Sequence, residues 1–225
     1  MKQNVNIVCV CVGDKYNKEH VNRLYRMVER NCSLPFSFYC VSDQQQDHET
    51  IFIDKDLDLE TYWWKICLFN LDWNQKTLYF DLDVVIQNNI DSLFDRIDDT
   101  ILTIDASDIG EYYPYDGWND FIMTIPPAVI NSSILGFIPN KHKILYELFF
   151  KDPDTNIVKY YGLDRFLYEN YDKFSFLEYS KDYYHRAKGH SGQVINNLNY
   201  NPTAKVCILS QCTKEHYKGL EKYFL

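Results

Sequence analysis

Two aspartates, Asp81 and Asp83, are the residues whose type and spacing point most directly to chemistry. They stand in the segment 77–86, TLYFDLDVVI, where four mostly apolar residues precede the first acid and three apolar residues follow the second. In an extended chain the side chains at i and i+2 point the same way, so both carboxylates face one side and Leu82 faces the core. The carboxyl ends of strands are where open α/β sheets bind ligands. Paired hard oxygen donors suit Mg²⁺ or Mn²⁺, which could in turn hold a diphosphate.

The surroundings of this pair carry more information than the D-x-D pattern itself. The chain has 22 Asp among 225 residues, so roughly two such pairs are expected by chance. Four occur, at 54/56, 56/58, 81/83 and 152/154, and only the 81/83 pair is bracketed by apolar runs on both sides. The copies at 54–58 lie in a polar stretch that is more typical of a solvated segment. The sequence therefore predicts a metal site at Asp81 and Asp83.

Composition and charge exclude several classes of protein. A hydrophobic content of 46% with 24% charged residues is typical of a soluble globular protein. The formal net charge of −9 argues against a nucleic-acid partner, whose phosphates require basic patches. An acidic chain that binds a phosphorylated ligand needs a metal ion to reverse the local charge. The 19 Tyr suit either a core or a sugar-binding surface, where the ring stacks and the hydroxyl hydrogen-bonds.

The seven cysteines indicate a reducing compartment. They form no C-x-x-C pair and lie within apolar runs, which predicts buried free thiols. The apolar run 5–12 is too short to span a membrane and lacks the layout of a signal peptide. We therefore expect a cytoplasmic protein without a transmembrane segment.

The periodic segments of the first half predict a doubly wound α/β sheet. Strands are expected at 4–12, 36–41, 51–53 and 77–81, with helices at 18–31 and 60–70. Lys65 is the only charge in the middle of the second helix. Alternation of this kind forms a mostly parallel, Rossmann-like central sheet flanked by helices.

The second half of the chain is organised differently. We expect a strand at 100–104, two short strands within 128–137 broken by three small polar residues, helices at 141–150 and 163–171, a strand at 205–209 and a polar tail at 211–225. The acidic, aromatic stretch 105–118 is either a surface loop or a loop that contacts ligand. The length fits a single domain, with a nucleotide-binding half at about 1–104 and an acceptor or sugar-side half at about 105–225.

The order and spacing of these pieces resemble those of small glycosyltransferases of the GT-A fold. The matching pieces are the first strand and its helix, the strand ending at Asp43, Lys65, the strand into Asp81 and Asp83, the run Asn131-Ser132-Ser133, and Gly162-Leu163-Asp164. The resemblance covers about residues 4–216 and is nearest to glycogenin and the bacterial galactosyltransferases of glycosyltransferase family 8. It implies transfer of a sugar from a nucleotide-diphosphate donor, expected to be a UDP-sugar, to a carbohydrate or other hydroxyl acceptor, with Mn²⁺ or Mg²⁺ bound.

The resemblance also implies roles for individual residues. Asp81 and Asp83 would bind the metal, and His216 is the candidate third ligand. Asp164 and Asn131 are the candidate catalytic residues beside the donor sugar. The candidate nucleotide-sugar contacts are Val10, Cys11, Val12 and Tyr16 at the base, Asp43 at its edge, Asp81 at the ribose, Lys65 at the phosphates or the sugar, Lys214 at the phosphates, and Ser132 at the sugar.

Three positions depart from the family pattern. Arg165 stands where Gln follows the acid, Ser210-Gln211 where a His-Gly turn completes the metal shell, and Glu215 where Pro follows the phosphate-binding Lys. These departures leave open a degenerate transferase fold that serves as a non-catalytic binding module.

Alternative roles for the same residues also stay open. A phosphatase of the haloacid dehalogenase type would use Asp81 as nucleophile and Asp83 as acid–base, although two strand–helix units precede the motif here. Lys65 could extend past its neighbours toward solvent, Asn131 could satisfy backbone at a strand break, and Asp164 could be a helix N-terminal acid that complements the helix dipole.

Overall fold

The strands of this protein form one large sheet and one small sheet. The computed structural model describes residues 4–53, 57, 59–60, 62–106, 129–187, 199–210 and 218–223. The strands in these ranges are β1 (Val5–Cys11), β2 (Phe36–Ser42), β3 (Glu49–Phe52), β4 (Thr77–Phe80), β5 (Val84–Ile86), β6 (Ile101–Asp105), β7 (Ile130–Phe137), β8 (Phe174–Leu177), β9 (Tyr183–Ala187) and β10 (Val206–Ser210).

The large sheet is mostly parallel and has β4 at its centre. Its seven strands lie in the order β3-β2-β1-β4-β7-β6-β8. β1 pairs in parallel with β2 and β4, whereas β7 runs antiparallel between β4 and β6. The small sheet has the order β5-β10-β9. This architecture confirms the predicted fold class, and the central, buried position of β4 confirms the prediction for that strand.

The sequence of β4 explains its place. All four residues are buried, as expected for a central strand whose two faces are both covered. After Phe80 the chain turns, and the Val84 N–H donates to the Asp81 carbonyl oxygen at 3.4 Å. The turn carries the chain into β5 of the small sheet. Both acids therefore lie in a turn at the end of the central strand.

Helices cover both faces of the large sheet. The α-helices in the described ranges are α1 (Lys18–Asn31), α2 (Asp91–Phe94), α3 (Pro139–Phe150), α4 (Pro153–Tyr160) and α5 (Leu163–Asn170). α1 begins where predicted because the Asn17 side chain accepts a hydrogen bond from the Glu19 N–H at 3.1 Å. One hydrophobic cluster joins α1 and the small sheet to one face. A second cluster joins α3 and α5 to the opposite face.

The predicted α-helix at 60–70 is a 3₁₀ helix, Trp63–Asn70. Three residues per turn align Trp63, Ile66 and Phe69 on one face, and each of these side chains is completely buried. Trp64 and Leu68 are buried as well, so most of this short helix faces the core, as predicted for a buried helix.

The prediction of two short strands within 128–137 is wrong, because β7 is a single strand of eight residues. It continues through the small polar residues because their backbone groups have partners. The Asn131 carbonyl oxygen accepts from Thr103 Oγ1 at 3.0 Å, and the Ser133 carbonyl oxygen accepts from the Asp81 N–H at 2.9 Å. The helices α2 and α4 and the strands β5, β8 and β9 were not expected from the sequence.

Two further expectations concern the membrane and the thiols. No helix among the described residues is long and apolar enough to cross a membrane. The six cysteines in the described ranges are free thiols, and four of them are buried, which agrees with the prediction.

Candidate active site

The ends of β1 and β4 bring residues from two parts of the chain to one edge of the sheet. The two strands are parallel neighbours, and Val8 pairs with Tyr79, so the following residues leave the sheet side by side. A cleft of about 130 Å³ opens there, lined by Val10, Val12, Lys15, Tyr16, Tyr62, Lys65, Tyr79, Asp81 and Asp83. This is the carboxyl edge of the parallel strands, where open α/β sheets bind ligands.

Asp81 is held by a cation and a phenol. Lys65 Nζ lies 2.8 Å from its Oδ1 and 3.1 Å from its Oδ2. The Tyr79 hydroxyl also donates to Oδ1. Tyr79 precedes Asp81 by two residues, so both side chains emerge on the same side of the strand. These contacts fix the carboxylate at the strand end and compensate its charge.

Asp83 lies in the same cleft with a different partner. Its Oδ2 accepts a hydrogen bond from the Tyr16 hydroxyl at 3.0 Å. Burial and then repulsion by Asp81 raise the pKa of the Asp83 carboxyl above its ordinary value. Burial and the Asp83 charge likewise raise the pKa of Tyr16, so the phenol stays protonated and donates a hydrogen bond to Asp83. Leu82, between the two acids, is 2% exposed and packs in the core, as predicted.

The ammonium group of Lys65 lies near the carboxylates of Asp81, Asp83 and Asp164. Besides Asp81 it contacts Ser132, with Nζ 3.3 Å from the hydroxyl oxygen and 3.4 Å from the carbonyl oxygen. Burial opposes its charge, but Asp81, Asp164 and Asp83 together outweigh this and raise the pKa of Lys65 above its ordinary value. The side chain is 13% exposed. It therefore ends in the cleft, and the alternative in which it extends to solvent is wrong.

Asp164 and Ser132 join the second half of the chain to this cluster. Asp164 is in the first turn of α5, and its Oδ1 accepts from the Ser132 N–H at 3.0 Å. Burial raises the pKa of Asp164 above its ordinary value, although Lys65 and the Ser132 hydrogen bond act in the opposite direction. The Asn131 Oδ1 accepts from the Ser133 N–H at 2.9 Å, which is the backbone role that the sequence left open.

Other predicted residues lie away from the cleft or outside the described residues. Cys11 is buried in the hydrophobic core rather than lining the cleft, because its side chain alternates with those of Val10 and Val12. Asp43 follows β2 and is also absent from the cleft lining. Lys214 and His216 lie outside the described residues, as do Gln211, Glu215 and residues 107–118 of the predicted ligand-contacting loop.

The carboxylates of Asp81 and Asp83 suit a hard divalent cation, but the described residues do not supply a complete set of metal ligands. Among the described residues, no group of three or more His, Cys, Asp or Glu could hold a metal ion. Asp81 and Asp83 supply two carboxylates, a number that Mg²⁺ uses when waters and substrate phosphates complete its shell. Burial and then repulsion by Asp81 raise the pKa of Asp83, and a bound cation would offset both effects. The residues present therefore fit a divalent cation.

Three residues of the cleft were missed from the sequence. Tyr79 could have been found, because its position two residues before Asp81 on a strand predicts a shared side. Lys15 lies in the turn after β1, and Tyr62 precedes the 3₁₀ helix. Neither has a local pattern that distinguishes it from an ordinary surface residue.

Comparison with solved structures identifies the fold. The chain is similar to the galactosyltransferase LgtC in complex with donor and acceptor sugar analogues, with 15% identity, a TM-score of 0.58, and coverage of 93% of this chain and 88% of LgtC. It is also similar to the glycosyltransferase GlyE of Streptococcus pneumoniae TIGR4, with 12% identity, a TM-score of 0.66, and coverage of 98% of this chain and 61% of GlyE. The bifunctional glycosyltransferase WbbM matches with 10% identity, a TM-score of 0.61, and coverage of 92% of this chain and 46% of WbbM.

These likenesses concern the three-dimensional structure. No protein-family model matches the sequence, and no curated protein matches it significantly. The shared architecture nevertheless extends over nine tenths or more of the chain in each comparison above. The chain has the fold of GT-A-like glycosyltransferases, as the resemblance in sequence implied.

Proposed function

We propose that this protein is a metal-dependent glycosyltransferase that moves a sugar from a UDP-sugar to a hydroxyl group of a carbohydrate or other acceptor. The observation that carries the proposal is the convergence of Asp81, Asp83, Lys65 and Tyr16 on one cleft at the carboxyl edge of the sheet. The fold it shares with LgtC, a galactosyltransferase crystallised with donor and acceptor sugar analogues, supports the same conclusion. Membership of family 8 is part of the proposal.

The nucleotide would bind where β1 ends. Val10 and Val12 present an apolar wall to the cleft, and the Tyr16 ring stands beside it. An apolar wall and an aromatic ring are suitable contacts for a planar base. Lys65 and Lys15 also line the cleft, and their positive charges would favour a diphosphate that Asp81 and Asp83 alone would repel.

Asp81 and Asp83 would hold Mn²⁺ or Mg²⁺, with His216 proposed as the third ligand. The bound ion would supply charge neutralisation of the departing diphosphate, an effect worth several kcal/mol. Lys65 occupies both oxygens of Asp81 in the described arrangement, so it must share or release this carboxylate when an ion binds. A released Lys65 ammonium would then be available for a phosphate oxygen.

Asp164 and Asn131 would act on the sugar side. Asp164 accepts a hydrogen bond from the Ser132 N–H with one oxygen, and the Ser132 hydroxyl in turn contacts Lys65, which links Asp164 to the cleft. A carboxylate in this position can contact sugar hydroxyls and stabilise positive charge that develops at the anomeric carbon. The chain's main contribution would be to hold donor and acceptor together and exclude water.

The structure offers no observation that favours the phosphatase alternative. The solved structures to which the chain is similar are glycosyltransferases, and this likeness in fold supports sugar transfer instead. The binding-module alternative predicts that the cleft binds a nucleotide sugar without turning it over.

A hydrolysis and transfer screen tests the proposal. The full chain is incubated with UDP-glucose, UDP-galactose and UDP-N-acetylglucosamine, with and without Mn²⁺, and released UDP is measured. We expect release from at least one donor that depends on Mn²⁺ and falls when Lys65 is replaced by Met. Binding of UDP-sugars without any release, with or without carbohydrate acceptors, would instead identify a binding module.

A further inference from the structure

A row of three aromatic rings lies at the outer edge of the large sheet, away from the cleft. Tyr168 of α5 stands beside Phe174 of β8, with ring centroids 6.2 Å apart and planes inclined by 22°. Phe174 stands beside Phe176 with the same spacing and an angle of 24°. Tyr168 is 39% exposed and Phe176 is 37% exposed. Two exposed rings from two different elements thus flank Phe174, which is half-buried.

A groove accompanies this aromatic row. It has a volume of about 600 Å³ and is lined by Tyr168, Glu169, Asn170, Tyr171, Asp172 and Phe174. Its size is within the range of small-ligand sites. The carboxylates of Glu169 and Asp172 are exposed at its rim. Tyr171 is fixed, since its hydroxyl donates to the Asp99 carbonyl oxygen at 2.6 Å. The groove therefore combines aromatic faces with carboxylate hydrogen-bond acceptors.

Aromatic rings beside carboxylates favour a particular class of ligand. A pyranose ring has an apolar face of C–H groups that stacks on an aromatic ring and a periphery of hydroxyls that donate to carboxylates. Rim carboxylates and a net charge of −9 disfavour anionic occupants such as nucleic acid or acidic lipid headgroups. A neutral oligosaccharide satisfies both the rings and the acids.

A second copy of the chain fits less well. β8 is an edge strand of four residues, flanked by Asp172 and Lys173 before it and Glu178 after it. Short edge strands with charged flanks are a feature that opposes strand-to-strand association. The row is therefore better suited to a saccharide than to pairing with another sheet.

The register of the strands places this groove toward the other edge of the sheet from the cleft. Ser175 of β8 pairs with Leu102, Leu102 pairs with Gly136, and Gly136 pairs with Leu78 near the start of β4, whereas Asp81 follows the end of β4. We infer that Tyr168, Phe174 and Phe176 form a binding site for a neutral oligosaccharide that is separate from the cleft. Saccharide binding by the row can therefore be measured independently of the proposed function.

Binding assays with exposed-ring variants test the inference. Maltoheptaose, cellohexaose and a β-1,4-galactan hexasaccharide serve as neutral probes, and a hyaluronan hexasaccharide serves as the anionic comparison. Each is titrated calorimetrically into the full-length wild type, Tyr168→Ala, Phe176→Ala and the matched control Phe52→Ala. Phe52 is 59% exposed on β3, at the opposite edge of the same sheet. Melting temperatures of all variants verify that they fold.

The expected result is binding of at least one neutral probe that weakens about tenfold in Tyr168→Ala and in Phe176→Ala, because each removes one stacking face. Phe52→Ala should bind like the wild type, and the hyaluronan probe should not bind. No binding of any neutral probe, or equal binding by all four proteins, would overturn the inference. So would a wild-type dimer in sedimentation analysis that Phe176→Ala converts to a monomer. A wild type that binds a probe through this row but does not bind UDP would contradict the proposed function and leave the saccharide surface standing.

Discussion

Replacement of Lys65 by Met gives the sharpest test of the electrostatics of the site. Met retains an unbranched apolar stem but removes the ammonium that lies 2.8 Å from Asp81 Oδ1. The carboxylates of Asp81, Asp83 and Asp164 would then lose the cation that they share. Removal of one partner of a buried ion pair costs about 3–5 kcal/mol. The Asp81 side chain is 22% exposed, so we expect a loss near the low end, about 3 kcal/mol in the free energy of unfolding.

Urea unfolding at pH 7 measures this loss, with Lys141→Met as the matched control. Lys141 also pairs with an aspartate, Asp99, but the two side chains are 50% and 71% exposed. Surface pairs of this kind contribute about 0.5 kcal/mol. The double variant Lys65→Met/Asp81→Asn should lose less than the sum of the single losses, because it removes an unpaired charge. A Lys65→Met loss no larger than that of Lys141→Met would refute the assignment of Lys65 as the counter-charge of the site.

Three further predictions follow from individual side chains. Asp164→Asn should leave UDP binding intact, as measured by calorimetry, and remove most sugar transfer, as measured by UDP release. Gly136→Ala should lower the free energy of unfolding by about 1–3 kcal/mol, because the new Cβ would lie 2.8 Å from Ile97 and 2.9 Å from Leu102. His185→Leu should remove an acid-sensitive part of the stability, since burial lowers the pKa of His185 from 6.5 to about 4.

The direction of the His185 effect follows from proton uptake. The unfolded chain binds this proton near pH 6.5 and the folded chain only near pH 4, so the free energy of unfolding falls as the pH drops through this interval, by up to about 3 kcal/mol. Equal pH profiles of wild type and His185→Leu in chemical unfolding would contradict the prediction.

The other two variants have refuting outcomes of their own. Unchanged turnover in Asp164→Asn would reduce Asp164 to a helix-terminal acid. An unchanged melting temperature in Gly136→Ala would contradict the packing described for β7.

The elements that could be predicted from the sequence are those with a strong local signal. The helix Lys18–Asn31 was predicted with its observed bounds, because its apolar residues recur at helical spacing. The central position of β4 followed from the apolar run before Asp81. The sequence also predicted that Asp81 and Asp83 lie together at one edge with Leu82 in the core, although a turn after β4, and not an extended chain, brings the two acids into the same cleft.

The parts that could not be predicted depend on tertiary partners. Asn131, Ser132 and Ser133 have low strand propensity, yet they continue β7 because Thr103, Asp81 and Asp164 satisfy their backbone. The 3₁₀ geometry of Trp63–Asn70 depends on the sheet surface that its rings cover. Side chains of a strand alternate between its two faces, and a shift of one residue exchanges them. The sequence did not show which face of β1 would carry Cys11, which lies in the core.

The most direct test of the central claim is a calorimetric titration of UDP into the wild type and Asp83→Asn, at low and at high Mn²⁺. Asp154→Asn is the matched control, since it alters the second acid of another D-x-D pair, in the first turn of α4. If Asp81 and Asp83 hold a metal that in turn holds the diphosphate, wild type and control should bind UDP only with Mn²⁺. Asp83→Asn should then bind UDP much more weakly and recover part of the affinity at high Mn²⁺. UDP binding that is independent of Mn²⁺ and equal in all three proteins would contradict the account.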